Sequence, residues 1–187
     1  MSSARLFVLG ELARRGPMHG HQIRRAAQLD HVDRWTNIKP GSLYGALQRM
    51  ETEGLVRRVR TEQAGGRPPR TVYEITEEGR HELVVQRASA LRDAKLSPDP
   101  IDLALGHVTG MTEEAVRSAI EDRRASLTHQ HQEMSHLREE AGPYLSAMEK
   151  MIFEHTMRRL RLEIDWHNEL LDQLPTLMAA PPLETEE

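Results

Sequence analysis

The chain has no cysteine among its 187 residues. Disulfides, thiolate metal sites and a cysteine nucleophile are therefore excluded. No apolar run approaches the ~20 residues needed to span a bilayer, so no membrane partner is expected. Met1 to Arg5 leads into an amphipathic stretch holding Glu11 and Arg14, where a secretion signal would have an uninterrupted apolar core. The expected location is the cytoplasm. A glycine-rich phosphate loop after a strand is also missing, and no serine sits in a nucleophile motif. No catalytic residue and no cofactor is expected, and the chain does not read as an enzyme.

The ten histidines do not form a metal-ligand pattern. His129 and His131 are two apart on a predicted helix and point to different faces. His136 lies seven beyond His129, too far for one tetrahedral ion. His155 and His167 run along the last predicted helix near its apolar side, where polar satisfaction is the simpler role. The metal expectation is none.

What is present is a charge asymmetry. The formal charge of −4 conceals a first half, 1–92, with 16 Lys and Arg against 10 Asp and Glu. The second half, 93–187, holds 9 against 19. A basic head on an acidic tail suits a nucleic-acid-binding domain joined to one that does not bind nucleic acid. The length fits one or two small domains.

The pattern of residues predicts helices over about 4–15, 19–29 and 40–53. Leu6, Leu9, Leu12 and Ala13 recur on one face of the first, which Gly16-Pro17 ends. Asp30 to Lys39 reads as a polar connector holding Trp35. Pro40 suits the first turn of the third helix and Gly54 its C-terminal cap. Leu55–Gln63 and Arg70–Ile75 read as strands of a hairpin whose tip, Ala64 to Pro69, is rich in breakers. Thr76 caps a fourth helix with Glu77 and Glu78 in its first turn. The fold class is mainly α with a small β-hairpin. This is a winged helix-turn-helix domain, 1–92, plus a C-terminal helical dimerisation domain, 93–187.

In the third helix Leu43, Leu47 and Met50 fall at i, i+4 and i+7 and should pack inward. The opposite face carries Ser42, Gly45 and Arg49, flanked by Tyr44, Gln48 and the preceding Lys39. Lys39 and Ser42 at the helix start can meet a phosphate. Gly45 lets the helix axis approach a groove, and Gln48 and Arg49 carry forked donors that read base edges. Arg67 and Arg70 sit on the stiff hairpin tip, which suits a narrow minor groove as well as plain solvation.

Three blocks then resemble the PadR regulators. They are Pro17-Met18-His19-Gly20-His21-Gln22-Ile23, the run from Lys39-Pro40-Gly41-Ser42-Leu43-Tyr44 to Gly54-Leu55, and Gly66-Arg67-Pro68-Pro69-Arg70 through Arg80. They cover roughly the first half in the family's order. The resemblance implies that Gly41, Ser42 and Tyr44 face the major groove and that Arg67 and Arg70 lie on the wing. At His21 many relatives have tyrosine, and Gly45 stands where many have proline.

Beyond a linker at 93–100, a short helix is expected over 101–111 and a long one capped by Thr112. Positions 116, 120, 123, 127, 130, 134, 137 and 141 alternate steps of four and three, and six of the eight are apolar. Arg123 and Gln130 interrupt this heptad seam. Gly142-Pro143 breaks the chain, and a second long helix runs to Leu174 before Pro175, its stripe passing Phe153, Met157, Leu160, Ile164, His167, Leu171 and Leu174. Such surface is too apolar to leave exposed and predicts a homodimer held by the second half. The tail 181–187 reads as acidic and unstructured.

Trp166, Met148 and Phe153 are candidates for a small aromatic effector's pocket, or else are dimer core. The functional expectation is a sequence-specific regulator of transcription, a repressor by preference, bound to double-stranded DNA. A dimer would take an inverted repeat with half-sites about one turn (~10 bp) apart. The alternative is a winged helix used for protein interaction without sequence-specific DNA binding.

Overall fold

The computed structural model describes residues 2–39, 41–63, 69–94 and 96–179. Pro40, the hairpin tip from Ala64 to Pro68 and the tail 180–187 lie outside the described residues. The chain divides into two compact units, Met1–Leu96 and Ser97–Glu187.

The first unit begins with α1 (Ser3–Arg15), β1 (Met18–His19) and α2 (Gly20–Leu29). It continues through α3 (Val32–Trp35), α4 (Ser42–Thr52), β2 (Val56–Glu62), β3 (Arg70–Ile75) and α5 (Glu77–Arg92). Leu9 and Leu12 of α1 are buried as the spacing requires, with Leu6 and Ala13 packed against the same core. Gly16 ends α1 at φ +80°, a conformation that L side chains rarely adopt. Glu11 is buried on α1, its carboxylate held by Arg14 at 2.6 Å and Arg15 at 2.7 Å.

Two expectations are corrected here. Asp30 to Lys39 is not simply polar: it forms α3, and Val32 and Ile38 enter the core at 1% and 6% exposure. The hairpin is also not alone, because the sheet has three antiparallel strands in the order β1-β3-β2. Met18 pairs with Tyr73 and His19 with Val72, a strand too short for any alternation to announce it. Between β2 and β3 the register runs from Val56↔Ile75 to Glu62↔Arg70, with a shift between Arg58 and Arg60.

Thr76 caps α5 as expected, accepting from Gly79 N at 3.0 Å and donating to Gly54 O at 2.8 Å. This draws α5 against the end of α4 so tightly that a Cβ on Gly79 would stand 2.1 Å from the Leu55 carbonyl oxygen. Only glycine fits there.

The second unit holds α6 (Pro100–Leu105), α7 (Glu113–Ala141), a single 3-10 turn at Gly142–Tyr144, and α8 (Ala147–Ala179). Arg117 meets Leu171 O, Arg123 meets His167, and Arg138 lies within 4.0 Å of Glu154. Rising numbers on α7 meet falling numbers on α8, so the pair is an antiparallel hairpin. Val116 and Ile120 pack with Leu171 and Leu174, and Leu105, Val108 and Met178 close over them. At this end the heptad seam of α7 and the stripe of α8 cover one another within the chain, whereas Leu127, Leu137, Phe153, Met157, Leu160 and Ile164 are half-buried.

The last helix does not stop at Leu174. Pro175 lies inside α8, which continues to Ala179. Proline cannot donate to the carbonyl four residues back, here that of Leu171. The Arg117 guanidinium donates to that oxygen instead, at 3.4 Å, which gives the orphaned acceptor a partner.

Arg123, an interruption in the heptad pattern, anchors a polar cluster. Its Nη2 donates to Asp99 at 2.6 Å and its Nε to His167 Nε2 at 3.0 Å. His167 is fully buried and lies 2.7 Å from Glu163 O through Nδ1. Since Nε2 accepts from a guanidinium, the ring proton sits on Nδ1 and faces that carbonyl. The Ile101 amide donates to Asp99, which is the chief cause of a carboxyl held below its ordinary value, with Arg123 adding to it.

Candidate nucleic-acid interface

The α4 helix is fixed from behind. Leu43, Ala46, Leu47 and Met50 are each 2% exposed or less and lock its inner face into the core. Ala46 extends the apolar set read from the sequence. Glu53 is the C-cap and Gly54 follows at φ +75°, so the glycine sits one position beyond the cap. At the other end Ser42 N and Oγ both donate to Lys39 O, at 2.8 and 2.7 Å.

The outer face is then presented to solvent by a rigid element. Lys39, Gly41, Ser42, Gln48 and Arg49 are exposed, and Gly45 is half-buried. A Cβ on Gly45 would meet only Arg49 Nη1, at 3.5 Å, so the Arg49 side chain lies back along this face. Tyr44 is 41% exposed, and its ring is seated on Gly20: a Cβ there would stand 2.7 Å from Tyr44 Cε1. Sequence reasoning did not find that contact, because the partners are 24 positions apart in different helices.

Charge is distributed unevenly over this face. On β2, Arg57 pairs with Glu74 at 2.6 Å, Arg60 with Glu62 at 2.7 Å, and Arg58 with Glu51. Lys39, Arg49 and Arg70 make no ion pair among the described residues, so their charge is available to a ligand. Arg70 opens β3 and is half-buried; Arg67 lies outside the described residues. His19 caps α2 through a reciprocal pair: Gln22 N donates to its Nδ1 at 3.1 Å, and its own N–H donates to Gln22 Oε1 at 2.9 Å. Burial, and then the nearby Arg70 charge, pushes His19 below the ordinary histidine value.

The proposed effector residues are not brought together. Met148 and Trp166 share one face of α8 but are 18 residues apart, about 27 Å along a helix. Phe153 is on the side turned to α7. Trp166 meets the His167 ring edge-on at 4.9 Å. Among the described residues no three His, Asp or Glu side chains are grouped to hold a metal ion, and no helix is long and apolar enough to cross a membrane.

A helix held by its apolar face, a second helix crossing behind it and a three-stranded sheet at its flank define a winged helix-turn-helix protein. Residues 8–85 match the transcriptional regulator PadR-like family. Among solved structures it is similar to Bacillus subtilis PadR in complex with operator DNA. That match has 17% identity and a TM-score of 0.72, over 93% of this chain and 98% of that one. The same Bacillus protein in complex with p-coumaric acid matches at 16% identity and a TM-score of 0.69, over 91% and 98%. The Vibrio cholerae virulence activator AphA matches at 17% identity and a TM-score of 0.71, over 94% and 99%. At these identities the likeness shows the fold. No curated protein sequence matches.

Proposed function

We propose that the chain is a sequence-specific DNA-binding transcriptional regulator, a repressor, that acts on double-stranded DNA as a homodimer. The observation that carries this reading is α4, whose inner face is locked while Ser42, Tyr44, Gln48 and Arg49 stand outward. Such a helix enters a major groove without rearranging. Lys39, Gly41, Ser42 and Gly45 then lie against the backbone, and Gln48 and Arg49 reach base edges. Arg70, with Arg67 beyond the described strand, adds cationic wing contacts. The role is binding in the cytoplasm, where the chromosome lies, and no chemical step is assigned to any residue.

Dimerisation draws support from α8. Its α7-facing stripe is buried or half-buried within the chain, yet Met148, Met151 and Leu162 are 72%, 64% and 69% exposed. Those three fall within about 60° of one another on the opposite face. A second apolar face on a helix already packed calls for a partner, and a second copy also supplies the second reading head. The p-coumaric acid bound by Bacillus PadR supports a small aromatic effector here, held where a dimer brings Trp166 of one copy close to Met148 of the other, with Phe153, on the α7 side, outside that contact. The test is recovery of genomic fragments bound by the protein. A shared inverted repeat is expected, and fragments without a common sequence would overturn the reading.

A further inference from the structure

Beside the outer face of α4 lies a cleft of about 290 Å³ between three elements. Helix α4 supplies Tyr44 and Gln48, strand β3 supplies Arg70, Thr71 and Tyr73, and the first turn of α2 supplies His21. The β1–β3 pairing builds it, because His19↔Val72 and Met18↔Tyr73 draw the start of α2 onto the strand. Leu47 and Gly20 also line it.

The chemistry of the lining is one-sided. A guanidinium, the imidazoles of His19 and His21, two phenol hydroxyls, an alcohol and an amide surround the space, and no carboxylate is among them. All can donate a hydrogen bond. The nearby Glu62, whose charge reaches His19, is already bonded to Arg60 at 2.7 Å. The His19 ring lies 6.1 Å from that of His21, at 27° to it. Because His19 Nδ1 accepts from Gln22, its ring proton is on Nε2. The ring serves as a neutral spacer, and His21 and Arg70 remain the groups free to engage an anion. A concave site lined with donors suits a small oxyanion such as a phosphate ester.

We propose that this cleft holds one backbone phosphate of the bound duplex, between His21 and Arg70, and so sets the register of α4 in the groove. The proposal rests on the DNA-binding reading above. It assigns a role to His21, which base readout does not use, and makes Arg70 a register-setting contact more than a loose wing charge. His21 and Arg70 are positioning residues here: they carry no sequence information but fix where Gln48 and Arg49 fall.

The experiment is a double-mutant cycle on the full chain with His21→Ala, Arg70→Gln and the pair. The probe is a mixed-sequence duplex several helical turns long, since a phosphate contact does not depend on sequence. Circular dichroism melts confirm folding, and His21→Gln serves as a second variant if His21→Ala melts early. Each single variant is expected to weaken binding about tenfold, and the pair little more than either alone. The salt slope should fall by about one phosphate's worth in Arg70→Gln and no further in the pair. Strictly additive losses, or unchanged binding in both His21 variants, would overturn the shared phosphate while leaving DNA binding intact. Failure of the unaltered protein to bind the duplex would instead defeat the DNA-binding reading and the cleft with it.

Discussion

The two units bury their apolar residues in different ways. The first closes a core behind the inner face of α4, from Val8, Leu9 and Leu12 through Ile23 and Leu43 to Val56, Ile75 and Leu83. In the second, Val116, Ile120, Met134, His167, Leu171 and Leu174 are the buried residues among those described. The same unit leaves Leu103, Met148, Met151, Leu162 and Leu177 more than half exposed, as the first leaves Leu29, Val84, Leu91 and Leu96 outside its core. A unit that folds around its own core can carry a rigid reading surface. A helical hairpin with such an apolar face exposed is suited to completion by another protein surface, which under the proposed function is a second copy. The division of charge follows the same line, with the basic half at the closed unit.

Glycine substitutions put that contrast to its hardest test. In the closed unit, Gly79→Ala forces a Cβ to 2.1 Å from the Leu55 carbonyl oxygen. Neither partner is a flexible side chain, so the backbone must shift, and we expect a loss of about 3 kcal/mol. In the open unit a Cβ on Gly142 meets nothing within 4 Å, and Gly142→Ala should change stability by less than about 0.5 kcal/mol. Urea unfolding of both variants measures the two values. Equal effects would remove the difference in packing.

The exposed face of α8 comes next. Met151→Glu with Leu162→Glu places two carboxylates on the face assigned to the partner. Burying them unpaired costs several kcal/mol, so the dimer dissociation constant should rise at least about a hundredfold. The hairpin itself should stay helical, since both residues point away from α7. Light scattering at micromolar concentration is expected to show a dimer for the unaltered chain and a monomer for the variant. A monomer in both would mean that the face has another use.

Acid separates the units more gently. His19 lies below its ordinary value through burial, so its contribution is present above about pH 6.5. It is lost as pH falls through the folded value, because the unfolded chain takes the proton first. Asp99 is held below the ordinary carboxylate value by the Ile101 amide and Arg123. Its contribution persists to lower pH, being present above about 3.9 and lost as pH falls through its own depressed value. The first unit should therefore begin to weaken at milder acidity than the second. His19→Ser keeps an N-cap for α2 and removes the titration. Urea midpoints at pH 7 and pH 5.5 should differ less in this variant than in the unaltered chain, and an undiminished difference would assign the effect to another group.

Much of this was legible in the sequence where periodicity is long or capping chemistry specific. Thr76, Thr112 and the inward set of Leu43, Leu47 and Met50 all stand where spacing places them. What escaped depends on contacts between distant segments. Two residues, Met18 and His19, form a strand only because Tyr73 and Val72 are there to pair with. Pro175 reads as a helix end until Arg117, 58 residues earlier, is seen to serve the carbonyl that proline leaves bare. The α7 and α8 stripes gave the right helices, and at one end Val116 and Ile120 pack against Leu171 and Leu174 of the same chain. In the reading site, the outward face of α4 followed from its period, whereas the seat of Tyr44 on Gly20 and the cleft beside it did not.

The central claim is that α4 reads base sequence, and one paired titration addresses it. Gln48→Ala and Arg49→Ala alter exposed side chains and leave Leu43, Ala46, Leu47 and Met50 in place. Each variant is titrated at fixed salt against a genomic fragment selected by the unaltered protein and against the same fragment scrambled. Direct readout predicts a loss of about 1–3 kcal/mol on the selected fragment for at least one variant, with a much smaller change on the scrambled one. Losses of equal size on both duplexes, for both variants, would contradict it.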